Sequence, residues 1–166
     1  MITFRKGGAT LEEMAEAEKL GIRYKKYQKK ALLAAAAITS ASAEEIARFE
    51  QEVGELPPDY KAFLATCNGG IPSRTSLSPS LHITSFFSLT PLNLHESLHH
   101  QHRLLGLPHW LPIAENAAGD KYLLRLSGHQ RFSVHFYRHD AAENDSDAFQ
   151  SVADSFSDLL TKLDPS

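Results

Sequence analysis

The sequence predicts an α+β fold in which a largely antiparallel sheet of about four to six strands is wrapped by helices. Three observations carry this expectation. Apolar residues recur at helical spacing through the first part of the chain, up to Cys67. The period then shortens toward two between Leu81 and Tyr137, and helical spacing returns after an acidic stretch. Helices, then a block of neighbouring strands, then a closing helix describe α+β better than a parallel, doubly wound sheet.

The elements follow in order. Thr10 and Glu13 have capping-box spacing, so a first helix begins at Leu11 and ends near Gly21, which tolerates a left-handed C-cap. A second helix is expected over residues 22–38, basic in its front half (Arg23, Lys25, Lys26, Lys29, Lys30) and rich in alanine behind. Ser42, with Glu45 three residues on, caps a third helix that runs through Val53 and places Ile46, Phe49 and Val53 on one face. Pro57-Pro58-Asp59 opens a fourth, where proline is accepted in the first turn. Its buried stripe is Tyr60, Phe63, Leu64 and Cys67, and Asn68-Gly69-Gly70 stops it.

Leu81, Ile83 and Phe87 then share alternating positions, and Trp110 to Ala114 is a short apolar run. Tyr122 to Leu126 and Phe132 to Tyr137 flank Ser127-Gly128-His129-Gln130, a hairpin with Phe132, Val134 and Phe136 on one face. An acidic loop from Asp140 to Asp147 precedes the last helix, whose stripe is Phe149, Val152, Phe156, Leu159, Leu160 and Leu163. No repeat at solenoid periods is visible.

With 166 residues, 42% of them hydrophobic, the chain suits one core. We read residues 1–40 as an N-terminal helical extension and 41–166 as the main domain. Cys67 is the only cysteine, so no internal disulfide forms and nothing points to an oxidising compartment. The longest apolar block, Ala31 to Ile38, is far shorter than the ~20 residues that span a bilayer. Arg5-Lys6 leads into a charged run, not an apolar signal core. A cytoplasmic location without a membrane partner is the expectation. Residues 1–40 carry eight Lys/Arg against four Glu, whereas the rest carries nine Lys/Arg against sixteen Asp/Glu. A body this acidic repels phosphate backbones and attracts basic surfaces, which favours a basic protein partner over nucleic acid.

The sharpest catalytic lead is His95-Glu96-Ser97-Leu98-His99, the zinc-protease pattern H-E-x-x-H. On a helix both histidines share a face and Glu96 would activate a metal-bound water. The longer pattern fails, because His102 stands where its glycine belongs and Leu105 where its third histidine belongs. Leu94, Leu98 and Leu105 would define the buried face, leaving the histidines on a flank open to water. Cys67 reads as a buried small hydrophobe, and Asp120 after Gly119 as a turn residue leading into a strand. The serines from Ser73 to Ser88 lack the G-x-S-x-G elbow, and no phosphate-cradling glycine loop occurs. Tyr24 and Tyr27, interleaved with basic residues, read as packing beneath a solvated helix face. No catalytic residue, cofactor or metal is therefore expected.

Several blocks resemble the SUKH superfamily, which contains fungal cell-wall-synthesis regulators and many bacterial immunity proteins. They are Ala43-Glu44-Glu45-Ile46 to Phe49-Glu50, Leu56-Pro57-Pro58-Asp59-Tyr60-Lys61-Ala62-Phe63-Leu64 and Asn68-Gly69-Gly70-Ile71-Pro72. Leu111-Pro112-Ile113-Ala114 with Gly119-Asp120, and Val152-Ala153-Asp154-Ser155-Phe156 with Leu159-Leu160, follow in the right order. The resemblance covers residues 42–163. It departs at the N-terminal forty residues and at Asn116-Ala117-Ala118, where more glycine is usual. The resemblance implies a non-catalytic adaptor: in bacteria, an immunity protein that binds a toxin, often a nuclease. A nuclease surface is basic, so an acidic body suits its capture. The expected contacts are Glu115 and Asp120 at one turn and Asp140, Glu143, Asp145 and Asp147 in the acidic loop. A regulatory scaffold of the cell-wall-regulator type is the alternative, and a metal-dependent hydrolase using His95-Glu96-x-x-His99 the third reading.

Overall fold

Five aromatic rings from four distant parts of the chain meet at the centre of the molecule. Phe4 stands edge-on to Phe63 at 4.9 Å, Phe63 lies 4.9 Å from Phe156, Phe4 lies 5.5 Å from Phe86, and Tyr60 packs on Phe156 at 5.0 Å. This is a computed structural model, and it describes residues 2–37, 39–91, 93–140 and 149–163. The chain runs β1 (Phe4–Arg5), α1 (Leu11–Lys19), α2 (Lys26–Ala36), α3 (Ala43–Val53) and α4 (Pro58–Thr66). Short strands follow: β2 (Ile71–Pro72), β3 (Ser76–Ser78), β4 (Leu81–His82) and β5 (Ser85–Phe86). Then come α5 (Leu98–Leu105), β6 (Trp110–Glu115), β7 (Lys121–Arg125), β8 (Val134–Tyr137), β9 (Phe149–Ala153) and α6 (Phe156–Lys162).

The main sheet has the order β5-β6-β7-β8-β9 with every neighbour antiparallel, and β1-β2 and β3-β4 form two small ribbons. The fold is therefore the α+β arrangement the sequence predicts. Tyr122, Leu124, Val134 and Phe136 alternate onto the face that packs against α3, α4 and α6, where Ile46, Phe49, Val53, Tyr60, Leu64 and Leu159 are buried.

Caps fix the helix starts. Thr10 Oγ1 accepts from Glu13 N at 3.2 Å, and Ser42 and Glu45 exchange reciprocal bonds at 3.1 Å. At the end of α4, Asn68 is fully buried at φ 50°. Its Oδ1 accepts from Leu89 N at 2.9 Å and its Nδ2 donates to Thr90 Oγ1 at 3.0 Å, which ties the helix end to the strand region. Gly69 beside it is required, since a Cβ there would stand 2.5 Å from the Phe87 carbonyl oxygen.

Several sequence expectations are corrected. The second helix begins at Lys26, not near residue 22, because Gln28 Oε1 accepts from Lys25 N at 2.8 Å and caps it there. Cys67 is half-buried at the C-cap of α4, at the margin of the buried stripe. Phe132 is not on the strand: at φ 72° it closes the hairpin turn, donating its N–H to Arg125 O at 2.7 Å. Phe149 and Val152 belong to strand β9, not to the last helix, which starts only after Ser155 caps Asp158 N at 3.0 Å. Tyr27 is 66% exposed and is not packed beneath α2. Of the acidic loop, Glu143, Asp145 and Asp147 lie outside the described residues, whereas Asp140 is exposed at its start.

The first residues are joined to the body. Besides Phe4 in the core, Lys6 is buried, and its ammonium donates to the Asn68 carbonyl and to Ser88 Oγ. Burial pushes that ammonium below its ordinary pKa, against the pull of Glu96.

Candidate protein-interaction surface

The second face of the sheet is only partly covered. Strand alternation turns Trp110 and Pro112 of β6, Lys121, Leu123 and Arg125 of β7, His135 and Tyr137 of β8 and Phe149 of β9 to this side. Helix α5 lies over β6, with Gln101 buried and its Nε2 donating to the His95 carbonyl at 2.8 Å. Between α5 and the sheet runs a groove of about 220 Å³ lined by Leu104, Leu105, Pro112, Lys121, Tyr137 and His139. Leu104 is 68% exposed at its rim.

Beyond the groove the aromatic side chains support one another. Trp110 lies 5.0 Å from the His135 ring and 5.1 Å from Phe149, Tyr137 lies 5.0 Å from Phe149, and the Arg125 guanidinium sits 5.2 Å over Trp110. Partly exposed Trp, Tyr and Arg held by neighbours are the residue types that anchor protein contacts. Burial, followed by the Arg125 charge, lowers the His135 pKa, while Ser133 Oγ lies 2.8 Å from its Nε2.

The predicted acids gather at one end of this face. Glu115 closes β6, with Lys121 Nζ and His95 Nε2 each 2.7 Å from its carboxylate oxygens. Asn116 builds the following turn: its Oδ1 accepts from Ala118 N at 3.0 Å and Asp120 N at 2.9 Å, and Gly119 takes φ 88°. One left-handed glycine suffices, so Ala117 and Ala118 are compatible with the loop. Burial would raise the Asp120 carboxyl, but bonds from Asn116 and His139 outweigh it and hold the group below its ordinary value. Asp140 follows His139, and the ligand atoms of Asp120, His139 and Asp140 all lie within 4.8 Å of one another. These are the residues placed to offer oxygen and nitrogen to a cation, and equally a negative knob beside the groove. Glu115, Asp120 and Asp140 are thus brought together, whereas Glu143, Asp145 and Asp147 lie outside the described residues.

The zinc-protease pattern is not on one helix. Ser97 caps α5, so His95 and Glu96 precede it, and Leu94 is 67% exposed instead of lining a buried face. His95 meets Glu115, while His99 Nδ1 lies 2.6 Å from Glu52 Oε2 on α3. Two carboxylates on different elements hold the two imidazoles. Ser127 with His109 and Ser133 with His135 are the Ser–His contacts at 2.8 Å. Among the described residues neither imidazole has the carboxylate partner that orients a catalytic base.

Sequence reasoning missed Trp110, Arg125, Tyr137 and Phe149. The available signal was the strand period itself: residues alternating with Tyr122, Leu124, Val134 and Phe136 had to face the other way.

A sheet packed by α3, α4 and α6 on one face, and carrying on the other a groove under α5 with an acidic end and an aromatic strip beyond it, has the architecture of a binding module of α+β class. The family model described as SMI1 / KNR4 family (SUKH-1) matches residues 40–162, and the chain belongs to that family. Membership makes it a SUKH-type protein-interaction module. No curated protein matches the chain. Among the described residues, no helix is long and apolar enough to cross a membrane.

Proposed function

We propose that this chain is an immunity protein that captures and neutralises a basic toxin of nuclease type, acting in the cytoplasm without chemistry of its own. One observation carries the reading: Glu115 and Asp120, at the turn between β6 and β7, meet Asp140 from beyond β8 beside the groove under α5. An acidic rim next to Tyr137, with Trp110 and Arg125 at the opposite end of β6 and β7, combines steering charge with anchoring side chains on one face. The charge balance of residues 41–166 adds a long-range attraction for a phosphate-binding protein surface.

The test begins with the neighbouring gene. The adjacent toxin is expressed with and without this chain, survival is scored, and binding is measured by calorimetry. Rescue with one-to-one binding is the expected result. Equal killing in both strains, with no heat of binding, would reject the immunity role and put the regulatory scaffold in its place.

A further inference from the structure

The N-terminal helices carry a second surface of different character. Helices α1 and α2 fold back on each other, with Ala9 N donating to Leu32 O at 3.2 Å and Lys29 Nζ 2.7 Å from Glu18 Oε1. Ion pairs there consume most of the acids: Glu13 pairs with Arg5, Glu16 with Lys19 and Glu18 with Lys29. Arg23, Lys25, Lys26 and Lys30 have no ion-pair partner among the described residues.

The same turn exposes apolar side chains. Leu20 is 85% exposed, Ile22 50% and Tyr27 66%, and Gly21 at φ 95° makes the bend that presents them. Tyr24 and Tyr27, with Ala31 and Leu32, line a nearly wholly apolar groove of about 300 Å³. Unpaired cations, two protruding aliphatics and two tyrosines therefore occupy residues 20–30.

We infer that this turn is a peripheral docking element for an anionic lipid surface. Charge complementarity selects an anionic occupant, and the aliphatics select one with an apolar interior beneath its charge. A nucleic-acid backbone satisfies the lysines but leaves Leu20 and Ile22 in water. An anionic bilayer satisfies both: headgroups meet Arg23, Lys25, Lys26 and Lys30, tyrosines sit at the interface, and Leu20 and Ile22 enter the acyl boundary. The charge split then orients the molecule. Its basic turn faces the anionic leaflet, and the acidic body points away from it.

The experiment is co-sedimentation of the full chain with vesicles. Phosphatidylserine-containing vesicles are compared with pure phosphatidylcholine ones, at low and physiological salt. Binding is expected only to the anionic vesicles and should weaken with salt, because each cation near such a surface contributes about fivefold to the partition coefficient. Lys25→Glu with Lys26→Glu should therefore lower binding at least roughly 25-fold. Leu20→Ser with Ile22→Ser should also lower it while leaving the thermal melt in place, since both side chains are exposed. No binding to anionic vesicles overturns the inference, and so does binding unaffected by the Leu20/Ile22 change. Binding to duplex DNA instead, or a concentration-dependent dimer that the lysine variant abolishes without any vesicle binding, overturns it too. The outcome is independent of toxin binding, which uses the other end of the molecule's charge distribution.

Discussion

His139 Nδ1 lies 2.6 Å from Asp120 Oδ1 and so ties the residues after β8 to the turn between β6 and β7. Asn116 Nδ2 holds the other carboxylate oxygen at 3.1 Å. Two strand ends are thereby locked beside the groove, which sets the position of the acidic knob before any partner arrives. Preorganisation of this kind lowers the ordering cost of binding.

The first prediction concerns acid. The folded-state pKa of Asp120 is depressed, so its ionised form stabilises the fold. That contribution is complete above the ordinary Asp value of about 3.9 and is lost as pH falls through the lower folded value. Asp120→Asn should cost about 1–2 kcal/mol at neutral pH, the range for a charge-assisted bond whose histidine partner is half exposed. Urea titrations at a series of pH values check it. The gap between wild type and variant should hold down to the ordinary Asp value of about 3.9 and narrow as pH falls below it, and a constant gap would refute an ionic origin.

His135 gives the second. Its pKa is depressed by burial and by Arg125, so the neutral imidazole is the form the fold prefers. The stability it supplies is present above the unfolded value of about 6.5 and is lost as pH falls through the folded value. Wild type should lose more stability between neutral pH and about pH 5 than His135→Gln, a variant that keeps an acceptor for Ser133. Parallel pH profiles for the two proteins would show that His135 is not the group responsible.

The third prediction tests how the N-terminal residues belong to the domain. Phe4 is 6% exposed and touches Phe63 and Phe86, so Phe4→Ala should cost about 3–5 kcal/mol. Leu20→Ser, at a site 85% exposed, should change stability by less than about 0.5 kcal/mol. Equal, small effects from both would show that β1 is dispensable to the core.

How far the sequence was legible follows from which signals were local. Thr10, Ser42 and Pro58 announce α1, α3 and α4 because caps act within one turn, and the Ile46, Phe49 and Val53 stripe has a single reading. Phe149 and Val152 were ambiguous, since a spacing of three fits a helix face while β9 is held by pairing with β8, about which local spacing is silent. β1 is two residues long and exists because Ile71 and Pro72 lie beside it, a pairing of distant parts of the chain that no local window reveals. At the site, Glu115 and Asp120 could be picked out from their turn. The His139 partner and the aromatic strip are products of strand register and needed the fold.

The last prediction separates the two parts of the proposed toxin contact. Exposed charges act at a distance and are screened beyond ~10 Å at about 0.1 M ionic strength, so they govern how fast partners meet. Neutralising Asp140, Glu143, Asp145 and Asp147 together should slow association and flatten its salt dependence, with dissociation little changed. Trp110 and Tyr137 contribute packing that exists only once the surfaces touch. Trp110→Ala should therefore speed dissociation and cost about 2 kcal/mol or more of affinity. Asp120, at 15% side-chain exposure, sits between these cases. If a toxin Arg or Lys displaces His139 from it, Asp120→Asn should act on the off-rate and cost roughly 2–5 kcal/mol. Stopped-flow association and surface-based dissociation measurements with the cognate toxin decide the matter. Loss of affinity in the loop variant arising wholly from faster dissociation would show that the acids form the buried contact, and that the aromatic strip at Trp110 is not the anchor.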